Sequence, residues 1–285
     1  MSAFRSDNVP LTQLLTVGSG GPNVNKTIWR EMEQKIWEVY PGFQGLVDVG
    51  TCNIHIVQNS FGKGLDKYGK DAGQLVIDLH SLSRYSAAHR EDYRKLQLNL
   101  DVEITLFIKH SGLWWLSIGP AVRRVLEEWK AIVQFIKFLK CDPKKILQSA
   151  AFKRVQGTVK RAEILVQLNF IASTVTLFEA FILNFHNDEP KIHIIYEQMA
   201  DLRKKFLLRF MKGERVKAVR AHKLSTLDLA RHSQLSDGDL MIGEPTRQEL
   251  KEDQQKAQLL GIRAFFTAVA AFLQTRLPFE NFSLA

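Results

Sequence analysis

The pattern of apolar and polar positions divides the chain into two stretches of different character. Near the start, "LTQLLTV" (11–17) is a short apolar run ending at a glycine cluster, the pattern of a buried strand. Ile28, Met32, Ile36 and Tyr40 then recur at i+4, which predicts an amphipathic helix over "NKTIWREMEQKIWEVY". "PGFQG" breaks that helix, "LVDVGT" (46–51) reads as a second buried strand, and "CNIHIVQNSFGKGL" as a helix leaving it. From there on the period is helical. "SAAHREDYRKLQLNL" is a polar helix. "IGPAVRRVLEEWKAIVQFIKFL" opens with Pro120 near a first turn, where proline is tolerated, and repeats Val122, Val125, Leu126 and Trp129 at helical spacing.

Four further segments carry the same period: "PKKILQSAAFKRVQ", "VKRAEILVQLNFIASTVTLFEAFILNF", "EPKIHIIYEQMADLRKKFLLRFMKG" and "RQELKEDQQKAQLLGIRAFFTAVAAFLQTRL". "STLDLARHSQLSDGDLMIGEPT" is the one long irregular stretch. The fold class expected is mainly α with a small α/β part. Residues 1–80 hold about two strands and their helices, and residues 81–285 form an all-α domain of about six helices.

Composition fits a folded chain, since 45% hydrophobic and 24% charged residues are enough to build a core. Residues 162–185 are apolar enough to suggest a membrane span. Glu163, Gln167, Asn169, Glu179 and Asn184 interrupt them, so a buried helix of a bundle is expected, and no membrane partner. The start shows no signal-peptide pattern. Two cysteines, Cys52 and Cys141, are too few for a disulfide framework and predict a reducing compartment.

The net charge of +9 is unevenly spread. Residues 123–161 carry eleven Lys/Arg against three acids, and residues 203–223 carry nine against one; all remaining residues sum to −7. Two such blocks point to a polyanionic partner, nucleic acid above all, against the competing reading of solvated helix faces.

Three motifs carry candidate chemistry. "VGSGGPNVNKT" resembles a phosphate loop only loosely: no glycine stands next to Lys26, and "GSGGPN" lacks the last glycine of a dinucleotide fingerprint. A tight turn is the competing reading. Cys52 and His55 stand three apart on a helix face, a spacing that can ligate zinc, but no further ligands accompany them and the expected metal set is empty. Trp114 and Trp115 cannot share one helix face; an exposed one beside a basic surface could stack on an unpaired base, worth ~1–3 kcal/mol.

Taken in order, "GSGGPNVNK", "LVDVGTCNIHIVQNSFGKG", "SAAHREDYRKLQ", "FIKH…WLSIGPAVRRVLEEW" and "LMIGEPTRQEL…AFFTAVAAFLQTRLPFEN" resemble the hAT superfamily of cut-and-paste DNA transposases, and most of all the vertebrate sequences derived from them. The resemblance implies an RNase H-like core split by an all-α insertion domain, and nuclear location. It implies chemistry by three acidic residues holding Mg²⁺ or Mn²⁺. This sequence departs at all three. Gly20 stands where the relatives usually read the Asp of "DGPNVN", the first Asp belongs upstream of the first strand, and the Glu belongs beyond "LPFENFSLA". Asp48 is a poor substitute, since it sits within a different strand. Cys52, His55 and Asn59 match the family's C-x-x-H and the asparagine after it. Trp115 matches the tryptophan of its T-R-W motif, whose Thr and Arg are Leu113 and Trp114 here.

The function expected is therefore a catalytically inactive, domesticated transposase derivative that binds DNA without sequence preference and needs no cofactor. The DNA contacts expected are Trp115, Arg123, Arg124, Arg203, Lys204, Lys205, Arg209, Lys212, Arg215, Lys217 and Arg220. Two alternatives stand beside it: a metal-dependent nuclease or strand-transferase using other carboxylates or a second chain, and a helical scaffold for other proteins. Because relatives oligomerise mainly through a segment beyond this chain's end, a monomer is expected.

Overall fold

The computed structural model describes residues 22–43, 45–46, 53–85, 87–111, 115–141, 149–185 and 192–276. Over these residues the protein is mainly helical. The strand expected at 11–17, the glycine cluster with Gly20, and 47–51 of the second expected strand lie outside them. Among the described residues there is no β-strand, only an isolated antiparallel bridge between Met211 and Gln234.

The chain divides into two compact units, Met1–Val57 and Gln58–Ala285. In the first, α1 (Pro22–Val39) forms where the four-residue stripe predicts it. Ile36 is fully buried while Ile28 and Tyr40, at the ends of the stripe, are exposed. After the helix, the Leu46 N–H donates to Glu33 Oε1 at 2.9 Å and folds the chain back along α1.

α2 (Asn53–Lys67) and α3 (Lys70–Tyr85) follow. The division between the two units, at 57/58, falls within α2. Phe61 of α2 meets Phe178 and Phe265 edge-on, with ring centroids 5.1 and 5.3 Å apart, so the part of α2 beyond residue 57 packs with the later helices. Beyond α4 (Ala87–Asn99) come α5 (Ile118–Glu127), α6 (Trp129–Cys141), α7 (Ala150–Thr158), α8 (Glu163–Leu183) and α9 (Ile192–Leu207). They are followed by α10 (Gly213–Lys217), α11 (Glu244–Glu249) and α12 (Glu252–Arg276). Nine α-helices therefore occupy the described residues from Ala87 on, more than the sequence suggested. The excess comes from two expected long helices that each divide, at Glu128 and at residues 250–251, and from the short α10.

α8 is apolar on all sides and sits at the centre, the arrangement expected of a buried helix. α3, α5, α9, α11 and α12 pack around it. Its Phe170 meets Phe265 and Phe266 of α12, and its Phe178 meets Phe206 of α9, with centroids 5.0–5.4 Å apart. Several polar groups in this core are matched. Gln167 Oε1 accepts from the Ala72 N–H at 3.3 Å, satisfying a free donor in the first turn of α3. The Tyr68 hydroxyl donates to Gln258 Oε1 at 2.6 Å, and burial pushes its pKa up. Arg154 of α7 reaches both oxygens of Asp78 on α3, at 2.8 and 2.6 Å.

The long irregular stretch expected before α11 is irregular in the structure, with 3₁₀ turns at Ala221–Thr226 and Arg231–Ser233. Arg263 of α12, 6% exposed, holds it by donating to Asp237, to Gln234 Oε1 and to the Leu235 carbonyl. That guanidinium lowers the Asp237 pKa. At Gly243 φ is +91° and a Cβ would stand 2.5 Å from Ser173 Oγ of α8, so the turn into α11 requires glycine on both counts.

Gly64 lets α2 lie directly on α12, since a Cβ there would come within 2.6 Å of the Phe265 ring and of Val269. Gly64→Ala is expected to cost about 1–3 kcal/mol by overpacking, read as a lower melting temperature with helical circular dichroism retained below the transition.

Candidate nucleic-acid interface

Between α9 and the irregular stretch, apolar and basic residues alternate with a clear division of labour. Met211, Val216 and Leu224 are buried and anchor the chain, while Lys212, Arg215, Lys217, Arg220 and Lys223 are all exposed. The Lys212 N–H donates to the Ser233 carbonyl at 3.0 Å, fixing the start of α10. The turn Ala221–Thr226 packs on α9 and α12. The result is a fixed backbone carrying five cations, with Glu214 the one acid among residues 212–223. No ion pair engages any of the five among the described residues. Lys223 completes the set although it was not among the expected contacts; its position just before the buried Leu224 is the signal that it faces outward.

The other expected contacts divide differently. Arg203 is corrected outright: its side chain lies in the core, 2% exposed, and burial brings its guanidinium down to about 10. It cannot meet a phosphate from there. Arg209 donates to the Ser173 carbonyl at 3.2 Å, and burial lowers its pKa too. Arg123 pairs with Glu179 at 2.8 Å, Arg124 with Glu127 at 3.1 Å, and Lys205 with Asp201 at 2.7 Å. These three cations already have counter-charges, which reduces what they offer a polyanion. Lys204 is half-buried on α9.

The family-motif positions come together only in part. His55 and Asn59 stand one turn apart on α2, His55 half-buried and Asn59 exposed. Gly20, Asp48 and Cys52 lie outside the described residues. So does the side chain of Trp115, whose backbone opens the 3₁₀ turn Trp115–Ser117. Among the described residues, no three His, Cys, Asp or Glu side chains gather where they could hold a metal ion. Glycine at position 20 has no side-chain oxygen to offer a metal ion.

Sequence reasoning missed a buried carboxylate at the junction of α5 and α6. Glu128 is 3% exposed and accepts from the Tyr93 hydroxyl at 2.9 Å, from Gln97 Nε2 at 2.8 Å and from the Thr105 hydroxyl at 2.6 Å. Burial and then the neighbouring Glu128 push the Tyr93 phenol up. The three donors come from α4 and from the extended segment after it, so one carboxylate ties that segment to two helices. Beside it lies a largely apolar cavity of about 400 Å³, lined by Leu79, Leu82, Tyr93, Phe107, Phe135 and Leu139.

Glu128→Ala leaves three inward donors unanswered, a cost of about 2–5 kcal/mol for the broken network. Melting temperature should fall accordingly, and chymotryptic cleavage after Leu106 or Phe107 should accelerate at least tenfold. No family model matches this chain, and comparison with curated proteins and with solved structures returned no match either.

Proposed function

We propose that this chain is a hAT-transposase-derived protein that has lost the family's metal-dependent chemistry and binds DNA without sequence preference, in the nucleus. The observation that carries the binding half is the set of exposed cations at Lys212, Arg215, Lys217, Arg220 and Lys223, in no ion pair among the described residues, on a backbone held by three buried apolar residues. The loss of catalysis rests on the sequence: Gly20 replaces a carboxylate that two-metal chemistry needs. A partial RNase H-like core in the N-terminal part belongs to the same proposal, as does the placing of Cys52, His55, Asn59 and Trp115 near a vestigial site.

Physical chemistry sets the form of the interaction. Exposed cations gain affinity from duplex DNA mainly by releasing condensed counterions, which favours no sequence. Five phosphate contacts give a slope of about −4.5 for log affinity against log salt concentration. Fluorescence anisotropy with random-sequence single- and double-stranded DNA between low and physiological salt measures this. Neutralising Lys212, Arg215, Lys217 and Arg220 to glutamine should flatten the slope by about one per residue. The same change at Arg123 and Arg124 should leave it nearly unaltered, because those residues are already paired. Absence of binding to either DNA at low salt would overturn the proposal. Metal-dependent nicking with Mg²⁺ or Mn²⁺ that is abolished by Asp48→Ala would establish the nuclease alternative.

A further inference from the structure

Residues 103–109, beyond α4, run extended and display an unusual symmetry. α4 ends in a Schellman motif: the Val102 N–H donates to the Gln97 carbonyl at 3.0 Å, the Asp101 N–H to the Leu98 carbonyl at 3.2 Å, and Asp101 has φ +54°. This launches residues 103–109, "EITLFIK", as a strand-like segment. Its side chains alternate. Thr105 and Phe107 turn inward, onto Glu128 and the Tyr93 ring. Ile104, Leu106 and Ile108 turn outward and are 44%, 65% and 39% exposed.

The backbone alternates as well. In an extended strand the N–H and C=O of one residue point to one edge, and those of the next residue to the other. The Thr105 carbonyl accepts from Gln97 Nε2 at 3.2 Å, so odd-numbered residues face α4. Residues 104, 106 and 108 therefore present their N–H and C=O groups at the opposite edge, where no hydrogen bond engages them among the described residues. Glu103 and Lys109 close the two ends, both exposed and in no ion pair among the described residues. Lys109 adds to positive charge already there, since it acts with Arg84 to lower the His80 pKa, after burial.

We propose that this edge is the dimer interface between two copies of the chain, joined as an antiparallel ribbon with Leu106 on the two-fold axis. In that register Ile104 faces Ile108 of the second copy, and Leu106 faces its own counterpart. These are the hydrogen-bonded pairs, made by the backbone groups that no hydrogen bond engages among the described residues. Glu103 faces Lys109 of the second copy at each end, in the closer, non-hydrogen-bonded positions. Sliding the strands by two residues in either direction sets Glu103 against Phe107 or Lys109 against Thr105, and both charge pairs are lost. The segment is self-complementary in backbone, in apolar contact and in charge, as an isologous two-fold interface requires. An open apolar edge otherwise invites unspecific pairing, and the terminal charges restrict it to one register. The inference does not depend on DNA binding and departs from the expectation of a monomer.

A seven-residue ribbon buries less than a standard interface, so a dissociation constant on the order of tens of micromolar is expected. Sedimentation velocity of the whole chain without DNA, from 1 µM to a few hundred micromolar, measures it. Glu103→Lys and Lys109→Glu should each weaken the dimer at least tenfold by opposing like charges at both ends. Combined, they should restore it to within about threefold of the original. Leu106→Pro, which removes the N–H on the axis, should abolish it, with circular dichroism showing the helices intact. If the chain is monomeric over the whole range, as when another segment of the same chain covers the edge, the proposal fails. It fails equally if the combined charge exchange is no better than the single ones, or if Leu106→Pro still dimerises.

Discussion

Edge-to-face contacts between phenylalanines fix the position of α8, and the positions of the other helices follow from it. Phe170 and Phe178 engage α12 and α9, and Phe61 bridges Phe178 and Phe265 from the far side. Phe266 then meets Phe206 and stacks on Phe210. Because these rings prefer a narrow range of separations and angles, they specify packing as well as burying area. Close approaches such as that of α2 to α12 at Gly64 are consequences of this cluster. So is the fate of α9, whose inner face is given over to the core while the chain beyond it, held by Met211 and Val216, carries its cations outward.

The second constraint is electrostatic and local. Glu128 interrupts what reads as one long helix and accepts three hydrogen bonds there, so the break between α5 and α6 is built around a buried acceptor. One of these bonds, from Thr105, and the Gln97 bond to the Thr105 carbonyl fix the orientation of residues 103–109. A carboxylate in the interior thus sets the character of a surface some distance away. The basic stretch is organised on the opposite principle, with buried apolar anchors and charges left in water.

Much of this was legible in the sequence. The helices at Asn53–Lys67, Ala87–Asn99 and Glu163–Leu183 follow from periodicity, because an apolar stripe or an all-apolar run has few other ways to bury itself. The irregular stretch before α11 was legible from its turn residues. Other features were not. Counting charge treats Arg203 as one more surface cation, yet it lies four residues after Met199 and three before Phe206, on the stripe that faces the core. Periodicity contained that signal and composition did not. The pairs Arg123–Glu179 and Arg154–Asp78 join residues far apart in the chain, so no local pattern announces them. The break at Glu128 is invisible because its partners, Tyr93, Gln97 and Thr105, lie on other elements.

The central place of α8 has a consequence for how the protein is made. On the ribosome α8 emerges before α11 and α12, two of the helices that cover it. The interval from Leu183 to Arg276 takes on the order of ten seconds at common elongation rates. Throughout that time the nascent chain exposes a 21-residue stretch long and apolar enough to resemble a membrane span. A truncation before α12 would leave the face of α8 that Phe265 and Phe266 cover without its partner.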